Sequence, residues 1–186
     1  MQPINIQAIC EYARQFSGLD NEKAALLRKI YPDINTRLED VSDVFYERLL
    51  AIPNTRDFLE GRVESLKSTH VVWLHELFNS DFSEEYTRKL YHVGDVHVQV
   101  KLPVEFVAGA MTIIQSELIR IFGEVYADDQ AMMLKAIDAL NAATGFSLLI
   151  MQESYQSSSL AAELDKFLQI TGMSRKLFDN LAKAYK

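Results

Sequence analysis

The sequence predicts an all-α protein, and three observations carry that prediction. Seven glycines and four prolines in 186 residues leave few points at which the chain must turn, which favours long helices over strands and hairpins. Apolar residues recur at steps of three and four along most of the chain, the spacing of one helix face. Hydrophobic residues make up 48 %, enough for a single domain of this length to bury a large core.

The first helix is expected over about Ile4–Phe16, ended by Ser17 and Gly18. A second starts after Asp20, a good N-cap, and runs to Tyr31, before Pro32. From Asp33 a long amphipathic helix sets Ile34, Leu38, Val41, Phe45, Leu49 and Ile52 on one face, with Pro53 as its stop. A short helical turn, Thr55–Leu59, leads to Gly61, and the next helix spans about Arg62–Phe78. Asn79, Ser80 and Asp81 break the pattern. Ser83 then caps a helix reaching about Leu102, with Glu84 and Glu85 favourably placed in its first turn. Pro103 suits the opening of the following helix, to about Tyr126, and Asp128 or Asp129 caps the last long one, to about Ser157. The run Ser157–Ser159 marks a candidate boundary, giving a main domain over 1–157 and a helical connector or tail over 158–186, interrupted at Gly172.

Charge and cysteine usage narrow the function. The net charge is −7 and no block of lysine and arginine occurs, so a nucleic-acid surface is not expected. A single cysteine, Cys10, permits no internal disulfide, which fits a reducing cytoplasm; it reads as a small buried apolar residue. The N-terminus lacks a signal-peptide pattern, and no uncharged apolar run is long enough for a bilayer: Ala139–Met151 is short and interrupted by Asn141, Thr144 and Ser147.

Two of the four histidines stand out by helical phase. Tyr86, Leu90, Val93, His97 and Val100 share one face of their helix, and His97 is its basic member. On the preceding helix, Val63, Leu66, His70, Trp73 or Leu74, and Leu77 form a matching stripe, broken by His70. Either histidine alone reads as a core residue hydrogen-bonded to backbone or hydroxyl, since a buried imidazole needs a partner. Two of them, 27 residues apart on neighbouring helices, raise the case for a metal between them. Zinc wants four ligands, and neither stripe holds a cysteine or carboxylate. Iron in a porphyrin needs one or two axial ligands and an apolar slot. His75 and His92 fall off both stripes and suit surface or flank positions.

The run Val93-Gly94-Asp95-Val96-His97-Val98-Gln99-Val100-Lys101-Leu102-Pro103-Val104-Glu105-Phe106 resembles the signature of globin-coupled sensors: a histidine, a short apolar and basic stretch, then an apolar residue and proline opening the next helix. Val44–Pro53 with Phe58 and Leu59, and Leu66–Trp73, resemble two further blocks of that family, in its order. The resemblance covers roughly Asn21–Ser157. It implies a globin fold of the sensor type: long helices around a haem, no separate fourth helix, an extra N-terminal helix. It implies haem b held by His97, with Tyr46 in the place of a distal tyrosine able to donate to a bound ligand and Leu66 at a distal position that controls access. Read from its own helix alone, Tyr46 would place its hydroxyl in solvent. Phe45, Val93, Val100 and Trp73 complete the expected haem surroundings. His70 departs from the family pattern, which mostly has an apolar residue there; it could ligate the iron as a sixth ligand, hydrogen-bond a bound ligand, or pack.

The resemblance further implies a homodimer through the last two long helices, where Gly109, Ala110, Ala136, Ala139, Ala142, Ala143 and Gly145 would let helices approach closely, although ordinary packing within the chain also explains them. The leading expectation is a cytoplasmic, non-enzymatic sensor that binds O2, CO or NO, or responds to redox state, and signals to an output domain beyond the connector. The second is a bis-histidine haem protein for electron transfer. The third is a haem-free helical interaction module.

Overall fold

The structure is a computed structural model and describes residues 4–184. Among those residues the chain forms helices α1 (Ile6–Ser17), α2 (Asn21–Ile34), α3 (Leu38–Ala51), α4 (Pro53–Arg56), α5 (Val63–Asn79), α6 (Glu84–Gln99), α7 (Val104–Val125), α8 (Gln130–Thr171) and α9 (Arg175–Ala184), with a 3-10 turn at Asn35–Arg37 and no strand. The all-α expectation holds, and the stretch between α3 and α5 holds a single helical turn in place of a full helix. The outermost expected residues, Met1–Pro3 and Tyr185–Lys186, lie outside the described residues.

Local chemistry sets the helix ends. Asn5 and Asp20 accept backbone N–H groups at the starts of α1 and α2, and Gly18 ends α1 in the left-handed conformation at φ 67°. Pro32 does not end α2, as the sequence suggests, but lies inside its last turn. Only two residues follow it, so little helix is disturbed, and the fully buried Ile30 and Ile34 hold that turn against the core. The chain then tightens through Asn35–Arg37, so the amphipathic run expected from Asp33 is divided between α2 and α3.

The centre of the fold is α8, which packs on α1, α2, α6 and α7. Ala136, Ala139, Ala143 and Gly145 keep its surface low enough for those neighbours, and Leu140, Phe146 and Ile150 fill between them. Both α7 and α8 are long and apolar enough by composition to cross a membrane, contrary to the reading of uncharged runs alone. Their apolarity is used within the core: Leu118, Ile121 and Phe122 of α7 are fully buried, as are Leu140, Phe146 and Ile150 of α8.

The helix expected to stop near Ser157 continues to Thr171, where Gly172 caps it at φ 66°. Ser157–Ser159 do not break it because serine is tolerated in helices and Ser158 gives its hydroxyl to Asp95 at 2.7 Å instead of to its own backbone. At 42 residues α8 is about 63 Å long, well beyond the core it crosses.

Candidate functional site

The two histidine-bearing helices are consecutive, yet among the described residues they are not packed on one another. Helix α5 lies against α2 and α3, and α6 against α1 and α8. Lys89 of α6 pairs with Glu76 of α5 at 3.2 Å near the end where the chain passes between them. The connecting segment is held there by α2 and α1: Arg28 donates to the Ser80 carbonyl at 2.9 Å, and Arg14 donates to the Phe82 carbonyl at 3.3 Å. Phe82 is fully buried with a left-handed φ of 54°, a conformation that costs about 1 kcal/mol and is held by those bonds and its packing. Away from this closed end, α5 carries His70 nine residues before its last residue and α6 carries His97 thirteen after its first.

His70 sits in an aromatic cluster. Its ring is 4.5 Å from Phe45 and 5.6 Å from Trp73, centroid to centroid, with the Trp73 plane inclined by only 12°. Tyr46 meets it edge-on at 5.7 Å. One nitrogen, Nδ1, lies 3.1 Å from Oγ of the buried Ser42, while Nε2 is buried with no partner among the described residues. Burial pushes the His70 imidazole down to about 4, so it is neutral near pH 7. When Nδ1 carries the proton and donates to Ser42, Nε2 presents a free lone pair, the form a metal requires.

His97 lies in the last turn of α6, half-buried, with Nδ1 buried and unpartnered among the described residues. Burial lowers its imidazole as well, which favours the neutral form. Its ring is 6.4 Å from that of Tyr155 on α8, whose hydroxyl donates to the Leu102 carbonyl at 3.0 Å. Lys101, at φ 58°, reverses the chain there before Pro103 opens α7. A small apolar group of Val107, Met111, Met151 and Tyr155 adjoins this corner, and Trp73 packs against both it and the main core.

The structure therefore brings Phe45, Tyr46, Trp73 and His70 together, with Leu66 half-buried one turn before His70. Tyr46 is buried, and burial pushes its hydroxyl up to about 12, which keeps it a neutral donor. The α6 stripe divides. Tyr86 and Leu90 are buried, while Val93 and Val100 are about two-fifths exposed, at 38 % and 40 %; Tyr91 and Gly94 take the buried positions. Val96 on the same two turns is exposed too, so the open end of α6 shows apolar surface beside His97. His75 bonds the Tyr31 hydroxyl at 2.7 Å on a helix flank, and His92 is exposed.

Two residues of the site were not singled out from sequence. Ser42 precedes Phe45 and Tyr46 by three and four positions, so helical phase could have placed it on their face. Tyr155 stands 58 residues after His97, and no local pattern connects them.

This chemistry suits iron in a macrocycle. Two imidazoles whose neutral form burial favours, each with an orphaned buried nitrogen among the described residues, lie on consecutive helices that pack against different neighbours. Among the described residues no group of three or more His, Cys, Asp or Glu could hold a bare ion. The protoglobin family model matches residues 7–161. Among solved structures, the globin domain of the Geobacter sulfurreducens globin-coupled sensor is similar at 28 % identity and a TM-score of 0.72, over 78 % of this chain and 96 % of that one. The globin domain of E. coli DosC, in ferric and ferrous forms, shares the fold at 18 % and 17 % identity and TM-scores of 0.65, over 78 % of this chain and 99 % of that domain in each case. With the family matched over most of its length and the helices arranged as in those globin domains, the chain belongs to the protoglobin family and has the globin fold of globin-coupled sensors.

Proposed function

We propose that this globin is a haem b sensor domain in which His97 is the proximal ligand and His70 the internal distal one. The observation that carries it is the pair of imidazoles held neutral by burial, each with an unpartnered buried nitrogen among the described residues, on consecutive helices that pack against different neighbours. Haem supplies an iron that takes four nitrogens from its ring and leaves two axial positions. His97 holds the group from the α6 side. His70, held between Phe45 and Trp73 and bonded to Ser42, closes the opposite side and yields to O2, CO or NO. Tyr46 supplies the hydroxyl that steadies an incoming ligand, and Leu66 narrows its path. The domain has no catalytic step of its own; residues 1–157 sense, and 158–186 lead to an output partner, with α7 and α8 pairing in a homodimer in the cytoplasm.

Absorption spectra of the ferric, ferrous and carbonyl forms test the ligation. The wild type is expected to be six-coordinate and low-spin without gas. His97→Ala should lose stable haem, whereas His70→Ala should keep haem and open the sixth position. An unchanged low-spin spectrum in His70→Ala removes the distal assignment, and haem retained by His97→Ala removes the proximal one. Electron transfer is the second reading, favoured by the same two imidazoles. It requires that carbon monoxide fail to displace His70, and a rapid shift to a carbonyl spectrum counts against it.

A further inference from the structure

The proximal helix is gripped by the long helix that leaves the domain. Two residues before His97, one carboxylate oxygen of Asp95 accepts the Ser154 hydroxyl at 2.6 Å and the Ser158 hydroxyl at 2.7 Å. One residue earlier still, α6 touches α8 so closely that a Cβ on Gly94 would lie 2.7 Å from Ser154 Cβ and 2.8 Å from the Met151 carbonyl oxygen. Of the two contacts, one is a pair of hydroxyl-to-carboxylate bonds and the other backbone proximity, and they meet at Ser154, on adjacent turns of α8. Asp95 is half-buried, and neither of its bonds holds a helix end or fills the core.

We propose that Asp95, with Gly94, Ser154 and Ser158, is a clamp that makes α8 follow the movement of His97. Asp95 is a positioning residue and does not touch the haem. The inference rests on the haem reading above and goes beyond it, by naming the residues through which ligand binding leaves the pocket. Its logic is geometric. Asp95 stands about 3 Å along α6 from His97, so a shift of the proximal ligand carries the carboxylate with it. The two serines are one turn apart on α8, so a carboxylate holding both resists sliding and rotation of one helix on the other. Gly94 removes the slack that a side chain would introduce. Beyond Ser158 the helix continues unbroken to Thr171 and presents Leu160, Phe167 and Ile170 to solvent, a surface free to move with it. Coupling of this kind needs an element whose position both sites bias, and the α6–α8 contact is that element.

Hydrogen exchange of residues 158–171 in the full, haem-loaded chain, compared between the ferrous and carbonyl forms, tests the clamp, with a visible spectrum recorded for each sample. The wild type should show a ligand-dependent difference in that segment. Asp95→Ala should lose the difference while its ferrous and carbonyl spectra stay those of the wild type. Asp95→Asn retains an acceptor oxygen for both serines and should restore it. Ser158→Ala, at the outer edge of the contact and without effect on the core, should reduce it. A difference undiminished in Asp95→Ala and Ser158→Ala overturns the proposal, as does a wild type that binds carbon monoxide with no change in 158–171. A chain that takes up no haem refutes the function proposed above and this clamp with it, an outcome the spectra distinguish from failure of the clamp alone.

Discussion

Gly94→Ala should destabilise the protein, against the usual direction for a helical glycine. In a helix interior alanine is favoured over glycine by about 1 kcal/mol. The added Cβ, however, would stand 2.7 Å from Ser154 Cβ and 2.8 Å from both the Met151 carbonyl oxygen and Ser154 Oγ. Carbon atoms in good contact are about 3.5–4.0 Å apart, so one helix must retreat by most of an ångström. The Met151 carbonyl belongs to the middle of α8 and cannot yield by itself. Overpacking costs about 1–3 kcal/mol, and a clash with helix backbone belongs at the top of that range. The net loss is then about 2 kcal/mol, or roughly 4–8 °C in Tm for a chain of this size. Thermal or urea unfolding at matched haem loading measures it, since bound cofactor alone shifts apparent stability. Gly123→Ala, also in a helix but with nothing within 4 Å of its Cβ, is the control and should gain up to about 1 kcal/mol. A Gly94→Ala protein as stable as the wild type would show that α6 and α8 do not meet this closely.

Two other predictions concern the pocket. Tyr46→Phe removes a neutral hydroxyl from the proposed distal side. At about 1 kcal/mol per hydrogen bond, O2 should dissociate about fivefold faster by stopped flow, and an unchanged rate would remove Tyr46 from the ligand's surroundings. The haem-free protein should weaken in mild acid. Burial lowers the folded pKa of His70 to about 4 from an unperturbed 6.5, so the unfolded chain binds the extra proton between those values. Stability is therefore whole above pH 6.5 and falls as the pH drops towards 4, by about 3 kcal/mol from His70. Urea midpoints across pH 4–7 should slope less in His70→Ala, and equal slopes would mean that His70 is not buried as a neutral ring.

The helical class and the order of the helices were legible because each amphipathic stripe is local, and a periodicity of three and four needs no distant partner. The α5 stripe was read well: Leu74 and Leu77 are buried, and His70 is turned inward with them. On α6 the same logic overreached. Period alone makes Val93 and Val100 equivalent to Leu90, but burial depends on what lies opposite, and on the last two turns of the helix Val93, Val96 and Val100 are exposed. Pro32 misled for a related reason, since a local breaker was overruled by the burial of Ile30 and Ile34. The length of α8 was hidden because Ser158 spends its hydroxyl on Asp95, 63 residues away in sequence. Ser42 lay within reach of helical phase. Tyr155 and the Asp95 contacts did not, because they depend on the crossing of α6 and α8, which no sequence spacing encodes.

The proposed switch is governed by how firmly His70 holds the sixth position. When an internal ligand occupies the binding-competent site for most of the time, apparent gas affinity falls by the fraction of time the site is free; a site free about 1 % of the time binds about a hundredfold more weakly. Three contacts set that fraction here. Phe45 and Trp73 pack on the His70 ring, and Ser42 bonds its Nδ1, so leaving the iron need not mean leaving the cluster. Weakening the Ser42 bond loosens the ring without removing its nitrogen, whereas removing the imidazole frees the site outright. The ratio of CO affinities in His70→Ala and wild type thus measures the occupancy directly. A ratio near one would mean that the imidazole contributes packing alone and that the gas threshold is set on the His97 side, where α6 meets α8.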